Sequence, residues 1–84
     1  MSVYFITFRS VTLAQRGEQA LRRSGVRCSL LRTPRWMEEQ GCGYCLGMKE
    51  ADIRQAVELL RKMDIPMRKV YVRQEDGIMK EMSV

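Results

Sequence analysis

The chain contains no histidine. Imidazole acid–base chemistry and histidine-ligated metals are therefore excluded. No apolar run approaches the ~18 residues that a membrane-spanning helix needs. Met1-Ser2-Val3 passes straight into a strand-like segment, so no signal peptide is expected and a cytoplasmic, reducing setting follows. Cysteine is scarce and odd in number, at three. In a reducing setting such thiols are more often reactive or metal-binding than cross-linked. Three of them fall one ligand short of the usual four-ligand zinc or iron–sulfur set, so no metal site is assigned. At 84 residues the chain has room for a two-layer core and none for a deep, enclosed active site.

Positive charge is present in excess: 15 Lys and Arg against 10 Asp and Glu give a formal charge of +5. That balance favours anionic partners, whether a nucleic acid, an acidic protein face or a small anion such as phosphate or selenite. The basic residues are scattered along the chain, as on a solvated surface with a basic bias.

Val3-Tyr4-Phe5-Ile6-Thr7-Phe8 is rich in β-branched and aromatic residues and predicts a buried strand. A helix follows from about Val11 to Ser24. Ser10 or Thr12 is its cap, and Thr12 with Gln15 has capping-box spacing. Leu13, Ala14, Gly17, Ala20, Leu21 and Ser24 form its small, apolar face. Gly17 implies close approach to a sheet, and Gly25 is a natural stop. Val26 to Leu31 predicts a second strand with Val26, Cys28 and Leu30 on one face, which makes Cys28 a core residue. Arg32 to Gly41 is a long connection carrying Pro34 and Trp36. Tyr44 to Met48 predicts a short third strand. A second helix spans about Lys49 to Met63, with Ile53, Ala56, Val57, Leu60 and Met63 on its buried face. Arg68 to Arg73 is the fourth strand, and Glu75-Asp76-Gly77 ends it.

This order predicts an α+β fold, a ferredoxin-like βαββαβ two-layer sandwich. Its four-stranded antiparallel sheet has order 4-1-3-2, with two helices on one face. Residues 1–74 form the single domain and 75–84 a short, patternless C-terminal tail.

Gln40-Gly41-Cys42-Gly43-Tyr44-Cys45 is the stretch that looks built for chemistry. Gly41 and Gly43 let the backbone turn sharply and leave the Cys42 thiol open to a partner. The plain alternative is a tight turn leading into a strand. The topology separates the two: strand three lies beside strand one, so Cys42 falls near Phe8-Arg9-Ser10 and the first helix N-terminus. Unpaired N–H groups there, with Arg9 and with Arg35 from the connection, favour thiolate over thiol and suit a bound anion.

Thr7-Phe8-Arg9-Ser10, Thr33-Pro34-Arg35 and Gly41-Cys42-Gly43 together resemble the small selenium/sulfur carrier protein-like family, over residues 3 to 73. The resemblance implies a carrier whose Cys42 holds sulfur or selenium as a persulfide or selenopersulfide and passes it to an acceptor protein. It implies a carrier more than a turnover enzyme, with donor and acceptor proteins as partners and no cofactor beyond the covalently carried atom. Tyr44-Cys45 departs from the small or apolar residues that follow Gly-Cys-Gly in the family, which leaves Cys45 open as a resolving thiol.

Other readings stand beside it. Cys42 and Cys45 have the spacing of a CxxC dithiol redox or thiol–metal module. In an extended segment, however, residues three apart lie about 10 Å apart on opposite faces, too far for a disulfide. Strand aromatics Tyr4, Phe8, Tyr44 and Tyr71 would suit a non-catalytic module that binds RNA, but the third strand lacks the RNA-binding signature. An open sheet face also suits a homodimer.

Overall fold

The computed structural model describes residues 2–33 and 43–82. Its elements are β1 (Val3–Thr7), α1 (Val11–Arg23), β2 (Ser29–Arg32), β3 (Tyr44–Lys49), α2 (Glu50–Lys62), β4 (Lys69–Arg73) and β5 (Met79–Met82). All strand pairs are antiparallel. The α+β class and the two helices match expectation, but the strand count does not: the sheet has five strands in the order β2-β3-β1-β4-β5.

The fifth strand comes from the segment expected to be a tail. Gly77 N–H donates to Gln74 O and Gln74 N–H to Ile78 O, both at 2.9 Å. Ile78 N–H also donates to Asp76 Oδ1 at 3.0 Å. This turn folds Met79–Met82 back onto β4, whose outer edge it pairs. Lys80 and Glu81 are poor strand formers, so pairing, not propensity, makes the strand.

Ser10, in extended conformation, is the cap of α1; its Oγ accepts from Leu13 N–H at 3.2 Å. The expected Thr12–Gln15 capping box is not used, because Thr12 already lies inside the helix. Both helices end in paired return bonds: Val26 N–H to Leu21 O and Gly25 N–H to Arg22 O, then Ile65 N–H to Leu60 O and Asp64 N–H to Arg61 O. α2 has no side-chain cap, but Glu50 and Asp52 in its first turn complement the positive end of the helix dipole.

The main core lies between the helices and one sheet face. Ile6, Phe8, Leu46, Met48 and Val70 from the sheet side pack with Ala14, Leu21, Ala56 and Leu60 from the helices. Val26 and Cys28 join this core as expected, with Leu30 packed against it. α1 approaches closely at Gly17, where a Cβ would stand 3.2 Å from Phe8 Cζ and 3.3 Å from Leu46 Cδ1. A smaller cluster of Phe5, Cys45 and Tyr71 occupies the other face, with Val3 and Met79 against it.

Candidate functional site

Cys42, Gly41, Arg35 and Trp36 lie outside the described residues. The framework that leads into Cys42 is described on both sides. Arg32 pairs with Tyr44 in the β2–β3 ladder. One step further, Thr33 N–H donates to Gly43 O at 2.9 Å. The two residues that flank segment 34–42 are thus joined by a hydrogen bond that continues the β2–β3 ladder. Gly43 has φ +83°, a conformation that an L side chain resists, and it is the residue through which the chain passes from Cys42 into β3.

The register places the other expected residues. Thr7 of β1 pairs with Cys45 of β3. Arg9 and Gly43 each lie two residues beyond that pair, just past the last rung of the β1–β3 ladder. Arg9 is exposed. Ser10 follows it, its hydroxyl oxygen engaged as the α1 cap.

β4 enters from the same end. Arg68 N–H donates to Thr7 O at 2.8 Å. The Thr7 hydroxyl both accepts from Lys69 N–H (3.1 Å) and donates to Lys69 O (3.2 Å). Thr7 is buried, and this pair of bonds satisfies it. Arg32, on the other side, sets its guanidinium 5.7 Å from the centre of the Tyr44 ring.

One end of the sheet therefore gathers Arg9, Arg32, Arg68 and Lys69. The adjoining segments 7–10, 32–33, 43–44 and 67–69 contain no acidic residue. Lys69 is paired with Glu81 of β5 at 3.3 Å. The first turn of α1, at the same end, holds no acidic residue, in contrast to α2. Arg32 and Arg68 were not singled out from sequence as site residues. Their signal is visible only once strand order is known, because they lie 36 positions apart in the chain.

The two described thiols are packed. Cys45 is 0% exposed, on the helix-free face with Phe5 and Tyr71. Cys28 is 9% exposed within the helix-covered core. Burial pushes the Cys28 thiol above its usual range; Glu18 adds to this, and Arg22 partly opposes it. Among the described residues, no group of three or more Cys, Asp or Glu is arranged to hold a metal ion. None of their helices is long and apolar enough to cross a membrane. A cavity of about 620 Å³ lies between α2 and the β4–β5 side of the sheet, lined by Tyr4, Ile53, Arg54, Val57, Val70 and Met82 among others. It includes none of the expected site residues.

A family model described as "Putative Se/S carrier protein-like" matches residues 3–72. No curated protein and no solved structure matches the chain.

Proposed function

The chain belongs to the Se/S carrier protein-like family, and on that premise we propose that it carries a single sulfur or selenium atom on Cys42. The observation that supports this most is the contrast among its three cysteines. Two are packed into opposite faces of the sheet. The third, Cys42, directly precedes Gly43 in the chain, and Gly43 lies at the cationic sheet end.

The chemistry is a group transfer without net oxidation. The Cys42 thiolate attacks the outer sulfur of a donor persulfide, R–S–SH. A Cys42 S–S bond forms, the donor S–S bond breaks, and the donor leaves as R–S⁻. A donor R–S–SeH delivers selenium in the same way. The terminal atom of the product is anionic in its reactive form, and Arg9, Arg32 and Arg35 supply the positive field that favours it. Gly43, at φ +83°, turns the chain directly after Cys42, and Gly41 on its other side gives the thiol's backbone the same freedom. Donor and acceptor proteins reach it from outside, so no deep pocket is required.

Cys45 as a resolving thiol is a poorer fit. β3 begins at Tyr44, so Cys45 is fixed within a paired strand and fully buried. Intact mass after incubation with glutathione persulfide tests the reading. A reducible gain of one sulfur atom, lost in Cys42→Ser and kept in Cys28→Ser and Cys45→Ser, is expected. A loss of two hydrogens that requires both Cys42 and Cys45 would replace the carrier with a dithiol redox module.

A further inference from the structure

The sheet has two outer edges, β2 and β5, and no strand among the described residues pairs with either. An unpaired edge is a template for another chain. The hydrogen-bond pattern decides what each edge offers.

Thr33 N–H points to β3, since it donates to Gly43 O. Backbone direction alternates along a strand, so Ser29 and Leu31 also face β3. Leu30 and Arg32 therefore turn their N–H and C=O groups outward. The next outward carbonyl, at Cys28, accepts from the Arg22 guanidinium at 3.5 Å. Beyond Thr33 comes Pro34, which has no N–H to give. The usable edge is thus confined to Leu30 and Arg32.

Two copies related by a two-fold axis perpendicular to the sheet can pair these groups in one way that uses all four. Leu30 bonds Arg32 of the second copy, and Arg32 bonds its Leu30. The axis then passes beside Leu31, which faces its own equivalent in a non-hydrogen-bonded pair, where side chains approach most closely. Leu31 is 41% exposed, one of five large apolar side chains left in solvent among the described residues. Its Cδ1 reaches over Gly47, where a Cβ would stand only 2.7 Å away, so its side chain lies flat along the sheet. Within β2 no like charges face each other in this register.

The same construction fails at β5. Gln74 N–H donates to Ile78 O, so Met79 and Glu81 are the outward residues. Pairing Met79 with Glu81 of a second copy sets Lys80 against Lys80 at the close position. That is the one register at β5 that uses all four outward residues, and it juxtaposes like charges.

The geometry points to a homodimer through β2, joining two five-stranded sheets into one antiparallel sheet with Leu31 on the axis. The partner of this edge is a second copy of the chain. In that assembly Thr33, at the base of the Cys42 connection, lies opposite Ser29 of the other copy. The four-residue edge is small beside a standard interface of about 1,600 Å², so the dimer exchanges with monomer.

Sedimentation or native mass spectrometry across a concentration series to about 1 mM tests this. Wild type is expected to move from the 9.8 kDa chain mass to twice that value. Leu31→Lys is expected to stay monomeric, with its far-ultraviolet circular dichroism unchanged, and Lys80→Leu to retain the β2 dimer. In a Cys42→Ser background, Leu31→Cys is expected to give a disulfide-linked dimer on mild oxidation. A wild-type monomer throughout, a dimer that survives Leu31→Lys, or failure of Leu31→Cys to cross-link would overturn the proposal. None of these readouts depends on sulfur loading, so the dimer and the carrier stand or fall separately.

Discussion

The two faces of the sheet bury their residues by different means. One lies under both helices and holds a continuous core around Phe8, Leu21, Leu46 and Leu60. Among the described residues the other has no helix, and its buried apolar cluster is Phe5, Cys45 and Tyr71, with Val3 and Met79 at its margin. The first face carries stability through packing on all sides. The second leans on cross-strand pairs and on polar devices: the Thr7–Lys69 bonds and the Arg73 guanidinium 5.7 Å from the Phe5 ring centre. Each face immobilises one cysteine.

The largest test of this difference is a pair of truncations. Phe8→Ala, at a fully buried site, is expected to cost about 3–5 kcal/mol, as large cavities in packed cores do. Phe5→Ala leaves a void that opens toward the bare face, and about 2–3 kcal/mol is expected there. Denaturant unfolding measures both; equal costs would mean that the bare face packs as tightly as the covered one.

A glycine pair gives a smaller effect with opposite expectations. In Gly17→Ala the new methyl meets Phe8, Leu46 and Leu60, all fully buried, at 3.2–3.4 Å. Overpacking then exceeds the gain in helix propensity of about 1 kcal/mol, for a net loss of about 1 kcal/mol. In Gly47→Ala the obstacle is the end of the Leu31 side chain, which in the monomer can swing into solvent. A change within about 0.5 kcal/mol is expected. A Gly47→Ala loss as large as that of Gly17→Ala would show that Leu31 is held in place.

The smallest effect is a dependence on pH. Burial raises the Cys28 thiol above its ordinary value of 9.0. Above about pH 9 the unfolded chain releases this proton while the folded chain keeps it, so the stability contributed below that pH is lost as pH rises. Cys28→Ala removes the packing at every pH but also removes this loss. Its deficit relative to wild type should shrink between about pH 8 and about pH 10. A constant deficit would remove Cys28 from the covered core.

Much of this architecture is legible in the sequence because local and global signals agree. Val3-Tyr4-Phe5-Ile6-Thr7 has strand propensity and a central position; Ser10 and Gly25 bound a helix whose small face fits the sheet. Gly17 signals close approach because nothing else explains a helix-weakening residue there. β5 was hidden for the converse reason: Met79-Lys80-Glu81-Met82 has no strand pattern and becomes a strand only by pairing with β4. The cationic end was half visible. Arg9 and Ser10 adjoin β1 in sequence, whereas Arg32 and Arg68 join them only through the lateral order of β2, β3, β1 and β4. Arg35, Gly41, Cys42 and Trp36 belong to segment 34–42, outside the described residues.

The most direct test of the central claim, that folding leaves one of three thiols for chemistry, is the rate at which iodoacetamide labels each cysteine of the native protein near neutral pH, read by peptide mass mapping. Cys42 is expected to react at least roughly tenfold faster than Cys28 and Cys45, whose labelling should wait on opening of the fold. Labelling of Cys45 or Cys28 at the rate of Cys42 would contradict it.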